Sequence, residues 1–202
     1  MVTVLAVGAH PDDIEVGCAG TLALHKRSGD KVYVLVLSKG EASGDPVVKE
    51  LACKKSAELL GVDGLFFGGL EDTKISDGIE TILVIEKIID EVKPDVVYTL
   101  TFKDTHQDHR NTAYATLSAA RRCNKILMYE IPKPLKEFFP QVFVDIEKTF
   151  EVKKKVLSIF GRESESFWLA ANAIEHLAVL RGFQAGVRFA EAFEVGRFIL
   201  EV

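Results

Sequence analysis

Short runs of consecutive apolar residues alternate along this chain with longer segments whose apolar positions recur every three or four residues. Residues 2–7 form the first run, apolar almost throughout, as a strand buried on both faces requires. A helix is predicted to begin at Asp13 or Ile14, run through Leu22-Ala23-Leu24 and stop at Ser28-Gly29. Residues 31–37 give a second strand, and 40–46 a loop. Residues 47–60 carry Leu51, Ala52, Ala57, Leu59 and Leu60 at helical spacing, closed by Gly61. A short third strand at 62–67 precedes a strongly amphipathic helix at 79–92, ended by Pro94. A strand at 95–100, a helix at 108–120 and a short strand at 126–129 complete the regular part.

This rhythm predicts an α/β fold, a Rossmann-like three-layer sandwich with a mainly parallel sheet between helices. After Pro132 the pattern loosens. Pro132, Pro134 and Pro140 interrupt the chain before an edge strand at 142–144. Helices at 146–160, 166–180 and 184–193 are then expected, giving a helical C-terminal part. No repeat, linker or low-complexity tract divides residues 1–202, so one domain is expected.

Composition narrows the function classes. With 25 basic and 30 acidic residues, no basic stripe favours a nucleic-acid partner. The apolar runs are far shorter than the ~20 residues of a membrane span, and no signal peptide is read before the first strand. Three widely spaced cysteines, Cys18, Cys53 and Cys123, argue for a reducing compartment, so a cytoplasmic location is expected.

Two clusters carry the chemistry. Ala9-His10-Pro11-Asp12-Asp13 follows the first strand, and Thr105-His106-Gln107-Asp108-His109-Arg110 follows the strand at 95–100. Both fall at carboxyl ends of strands, where parallel sheets build their sites. His10 and Asp13 stand across a turn stiffened by Pro11 and suit one divalent metal. A second imidazole from a neighbouring loop would complete a facial set with an open position for water. Asp12 is placed to act as a base that is not a ligand. If His109 is the third ligand, His106 can reach a developing oxyanion or the leaving group. Asp108 could then fix the tautomer of one of these imidazoles.

Plainer readings compete with these. Asp12 or Asp13 could cap a helix, and the second cluster could be a solvated loop. Cys18, one turn past Asp13, reads as a small buried thiol rather than a ligand. Gly17-Cys18-Ala19-Gly20 lacks the spacing of a dinucleotide fingerprint. Gly40-Glu41-Ala42-Ser43-Gly44 lacks the Lys-Ser or Lys-Thr of a phosphate loop, and no Gly-x-Ser-x-Gly elbow occurs.

The first cluster, continued by Glu15 and Gly17, resembles the signature of the LmbE-like or PIG-L superfamily of zinc-dependent N-acetylglucosaminyl deacetylases. Ser38-Lys39-Gly40-Glu41, Ala57-Glu58-Leu59-Leu60-Gly61-Val62, His106-Gln107-Asp108-His109, Val144-Asp145-Ile146 and Arg181-Gly182 resemble its later motifs in order. The resemblance implies that His10, Asp13 and His109 hold zinc and that Asp12 is the general base. It makes His106 the group that polarises the amide oxygen or protonates the leaving amine, with Asp108 as its orienting partner. Its substrate would be an N-acetylated amino sugar or conjugate.

Departures bear on that sugar. Family members often carry an Arg and a Glu on the helix after the second loop, where Lys49 and Ala52 stand here, and Lys lacks the bidentate fork. Gly68-Gly69-Leu70-Glu71-Asp72 replaces the usual loop after the third strand. Hydrolysis of another bond, such as a phosphoester, and metal or ligand binding without turnover are the alternatives. Intact Asp12 and His106 speak against the last. A homo-oligomer, hexamer or trimer, is expected from the family's tendency and from Phe138, Phe139, Phe143 and Phe167-Trp168-Leu169.

Overall fold

The computed structural model describes residues 1–132, 137–160 and 171–200. Seven strands form one sheet: β1 (Thr3–Gly8), β2 (Lys31–Ser38), β3 (Gly64–Leu70), β4 (Val96–Leu100), β5 (Lys125–Tyr129), β6 (Val142–Asp145) and β7 (Ala190–Phe198). Their order is β3-β2-β1-β4-β5-β7-β6. The first five run parallel, and β7 lies antiparallel between β5 and β6. The helices are α1 (Asp13–Arg27), α2 (Pro46–Leu60), α3 (Ile79–Val92), α4 (Gln107–Ala119), α5 (Phe150–Phe160) and α6 (Ala171–Ala185).

From β1 the chain steps outward through β2 and β3, then returns to the other side of β1 and proceeds outward through β4 and β5. With right-handed crossovers, that reversal puts α1 and α2 on one face and α3 and α4 on the other. The packing agrees: α1, α2 and α5 contact one another, and α3 packs on α4. Between β1 and β4, whose following loops diverge, lies the crevice in which open α/β sheets place their ligands. Val4, Leu5, Leu35, Leu37, Val97 and Leu100, all nearly inaccessible, fix the strands beneath it.

The expected helix at 184–193 is corrected. Gly186, at φ 74°, ends α6, and the chain turns back through Val187 N donating to Gly182 O at 2.9 Å. Residues 190–194 are buried in succession because β7 is interior to the sheet and covered on both faces. A strand buried in this way loses the period-two alternation that distinguishes it from a helix. The edge strand expected at 142–144 is present as β6. Of the expected interface aromatics, Phe138 is buried, Phe143 is half-buried and Phe139 is exposed. Phe167-Trp168-Leu169 and Pro134 lie outside the described residues.

Helix α1 is broken at Cys18, whose φ of −145° and ψ of 15° are not helical. The break frees backbone groups in a buried helix, and they need partners. Glu191 on β7 supplies them: its carboxylate accepts from Gly20 N (2.9 Å), Thr21 N (2.7 Å) and Thr21 Oγ1 (2.6 Å). Lys153 on α5 donates to Val16 O at 2.6 Å and to Glu191 Oε1 at 2.5 Å. Gly17 in the same stretch lies against the Tyr129 ring, where a Cβ would come within 2.0 Å of a ring carbon. The glycines of this segment therefore serve packing.

Removing one partner of a buried, hydrogen-bonded ion pair strands the other. Glu191→Ala is expected to lower unfolding free energy by about 3–5 kcal/mol in urea denaturation. A loss below about 1 kcal/mol would mean that the broken helix needs no such support.

Candidate active site

The turn after β1 delivers its side chains through an unusual backbone. Asp12 sits at φ 96° and ψ −23°, a left-handed conformation that is rare for a residue with a Cβ. Its carboxylate makes no cap on α1. The Asp13 carboxylate turns backward instead, its Oδ2 accepting from Ala9 N and His10 N, each at 2.9 Å. Neither aspartate serves the free N–H groups at the start of α1, so the capping explanation does not account for them.

The second cluster opens α4. His106 is the N-cap residue: its Nδ1 accepts from Asp108 N at 3.1 Å, and its own N–H donates to Asp104 Oδ1 at 2.7 Å. His109, one turn into the helix, points back toward β1. His10 Nδ1 lies 3.3 Å from His109 Nε2 and 3.7 Å from Asp13 Oδ2, and His109 Nε2 lies 3.3 Å from Asp13 Oδ1. The turn after β1 and the first turn of α4, remote in sequence, thus bring three groups into one triangle of donors. The His106 ring stacks on His109 at 4.7 Å and reaches the same space. The potential ligand atoms of His10, His106 and His109 lie within 4.8 Å of one another, and so do those of His10, Asp72 and Asp108.

Two further carboxylates, which no sequence pattern singles out, surround this triangle. Asp104 Oδ2 lies 3.1 Å from His109 Nδ1, and Asp72 Oδ1 lies 3.0 Å from His10 Nε2. The Asp108 carboxylate sits on His10 Nε2 at 3.1 Å, whereas His106 meets only the backbone N–H of that residue. The partner expected for His106 therefore orients His10 by its side chain. Lys49 donates to Gly40 O (2.7 Å) and Ser43 Oγ (2.6 Å), closing its own loop beside Pro11. Cys18 is buried, and neither of the two donor groups includes it.

Charge in this crevice is strongly coupled. Burial opposes protonation of His10, but hydrogen bonds to Asp108 and Asp72 and the Asp13 charge prevail and raise its pKa to about 9. His109 reaches about 10 against the same burial, through Asp13 and Asp104. Burial would keep Asp13 neutral, yet His109 and His10 draw it down to about 2. Asp12 moves the other way, to about 8: burial leads, and Asp13 and Glu15 add like charge. His106 is lowered by burial and by His109 and His10.

The donor chemistry suits a divalent cation. Asp108 Oδ1 is buried without a hydrogen-bond partner among the described residues, in a site rich in carboxylates and imidazoles. Such a set could hold a divalent ion, which would replace protons that the imidazoles otherwise carry.

Comparison with known proteins places the chain. The sequence matches the GlcNAc-PI de-N-acetylase family over residues 5–120. YaiS of Escherichia coli K12, described as an uncharacterized deacetylase, is 33% identical, the match covering 76% of this chain and 88% of that protein. The diacetylchitobiose deacetylase of Thermococcus kodakarensis is 29% identical over 93% of this chain and 80% of its own. Among solved structures, the conserved protein TT1542 of Thermus thermophilus superposes with a TM-score of 0.90. It is 26% identical and is covered over 98% of its length by all of this chain. The match at residues 5–120 spans β1 to α4 and includes every residue of the donor triangle, and the chain belongs to the GlcNAc-PI de-N-acetylase (PIG-L) family.

Proposed function

We propose that this protein is a zinc-dependent N-deacetylase that hydrolyses the acetamide of an N-acetylated amino sugar or its conjugate. The observation that carries the reading is the convergence of His10, Asp13 and His109 at 3.3–3.7 Å, with Asp12 next in chain. Family membership and the activity named for the Thermococcus relative support the reaction and the substrate class.

His10, Asp13 and His109 would hold the ion, which when bound supplies the positive field that polarises the amide carbonyl and acidifies water. Asp13 is suited to this because Oδ2 is fixed by two backbone N–H groups while Oδ1 faces His109. Asp12, whose raised pKa a cation held beside it would lower, accepts a proton from the attacking water as its oxygen bonds to the amide carbon. When the C–N bond breaks, that proton passes from the Asp12 carboxyl to the leaving nitrogen, giving free amine and acetate. His106 takes the first of its two expected roles. Its Nδ1 is occupied as an acceptor, so the neutral ring carries its proton on Nε2, and its lowered pKa keeps it neutral. It donates a hydrogen bond to the carbonyl oxygen as negative charge develops there.

A cytoplasmic location and a homo-oligomer complete the proposal. The free, buried cysteines support the first. The exposed Val179, Leu180 and Phe183 on α6, together with Phe139, support the second. Light scattering should report a mass above 22.3 kDa, and a monomer at working concentration overturns the oligomer.

Acetate release from N-acetylglucosamine and diacetylchitobiose, with elemental analysis of the same sample, tests the reaction directly. Asp12→Asn should keep its zinc and lose about 10²- to 10⁴-fold in kcat. Loss of the metal would make Asp12 a ligand, and full activity would refute its role as base.

The raised pKa values give a second test. Both imidazoles hold a proton more tightly than free histidine, His10 to about 9 and His109 to about 10, although their facing nitrogens 3.3 Å apart do not both carry one, and a ligand imidazole must be neutral. Zinc uptake should therefore release at least one proton, and affinity should rise from pH 7 toward pH 9. Titration calorimetry in buffers of different ionisation enthalpy reads the proton count. Fewer than one proton released removes these imidazoles from the ligand set.

A further inference from the structure

Asp104 stands in the loop between β4 and α4, and its side chain is almost wholly buried. Each of its oxygens faces a different histidine. Oδ1 accepts from the backbone N–H of His106 at 2.7 Å, and Oδ2 lies 3.1 Å from His109 Nδ1. The two nitrogens of an imidazole point away from each other, so a carboxylate beside Nδ1 is not placed to share an ion held by Nε2. It can settle which of the two nitrogens carries the proton.

We infer that Asp104 is a positioning residue that holds the His109 ring with its proton on Nδ1 and with Nε2 open toward His10 and Asp13. This rests on the reading of His109 as a metal ligand. His109 Nε2 lies 3.3 Å from both His10 Nδ1 and Asp13 Oδ1, while Asp104 stands at the other nitrogen. A neutral imidazole donates through one nitrogen and offers a lone pair at the other. An ionised carboxylate only accepts, so it draws the proton to its own side and leaves the lone pair facing the triangle. Its other oxygen holds the start of α4, and with it His106, whose ring stacks on His109 with centroids 4.7 Å apart. One carboxylate thus sets the ring that would bind the ion against the ring that donates to the carbonyl oxygen.

The loop is pinned on both sides of Asp104. Arg110 Nη1, on α4, donates to Asp104 O and to Thr105 O, each at 2.8 Å, and folds the loop back on the helix. Toward β4, Lys103 N donates to Thr101 Oγ1 at 3.2 Å, and that hydroxyl donates to Glu194 Oε2 at 2.9 Å. Lys103 Nζ reaches the other oxygen of Glu194 at 2.8 Å. Strand β7 therefore anchors the approach to Asp104, and α4 anchors the exit.

Asp104→Asn keeps the shape and one acceptor oxygen but puts an amide N–H where the second acceptor stood. With the oxygen on His106 N, the amide donates to His109 Nδ1 and moves the ring proton to Nε2, where the ion must bind. Zinc affinity, read by chelator competition, should fall about 10- to 100-fold, and the visible spectrum of the Co²⁺-substituted variant should change. In the zinc-loaded wild type, ¹H–¹⁵N NMR of the imidazoles should find the His109 proton on Nδ1. Arg110→Met, which loosens the loop but leaves the carboxylate, should shift affinity in the same direction by less, and it carries the test if Asp104→Asn does not fold. Undiminished zinc affinity in the variant that carries the test overturns the inference, as does a zinc-loaded wild type with the His109 proton on Nε2. So does an Asp104→Asn protein that holds fewer zinc ions per chain than the wild type at saturation, since Asp104 would then be a ligand. Wild-type protein that takes up no zinc refutes the metal reading itself, and this inference with it.

Discussion

Asp13, Asp72, Asp104 and Asp108 are buried within one crevice, and four carboxylates so placed cannot all be ionised without positive charge among them. Among the described residues, His10 and His109 stand between them to supply it. Most of the local architecture answers this requirement. Backbone N–H groups of Ala9, His10, Ala42 and Thr73 all point at carboxylate oxygens. The imidazoles take up protons that free histidine would release near neutral pH. A divalent cation would meet the same demand with more charge in less space.

The sheet delivers these groups, and a second buried charge pair keeps the sheet's covering helix in register with them. The start of α1 carries Asp13, while its midpoint is broken at Cys18 and sealed by Glu191 and Lys153. Tyr129 adds a hydrogen bond from its hydroxyl to Val7 O at 2.8 Å, immediately below the turn that bears His10. The loops that carry the crevice side chains are thereby mounted on elements remote from one another in sequence. The antiparallel β7 contributes the residue that completes α1.

Much of this is legible in the sequence, for reasons that differ residue by residue. The first five strands follow from local apolar runs bounded by Gly, Pro and Asp, and the crevice follows from their parallel order. His10, Asp12, Asp13, His106, Asp108 and His109 stand out because imidazoles and carboxylates cluster within a few residues at strand ends. Asp72 and Asp104 do not, since a single aspartate in a loop carries no pattern, and Asp72 meets a histidine far away in sequence. Proximity along the chain pairs the side chain of Asp108 with the wrong ring for the same reason: His106 is its neighbour in sequence, His10 its neighbour in space. Strand β7 reads as a helix because burial on both faces erases its alternation.

The bond between Glu191 and the broken turn of α1 also orders events in time. Gly20 and Thr21 are synthesised before the carboxylate they donate to, which lies 171 and 170 residues downstream. Until Glu191 has left the ribosome, packing α1 as in the finished fold would bury two N–H groups without this acceptor. Contacts of such long sequence separation form slowly, because the loop they close is large. The helix that begins at Asp13 is therefore made well before the strand that completes it, and its packed form waits on β7.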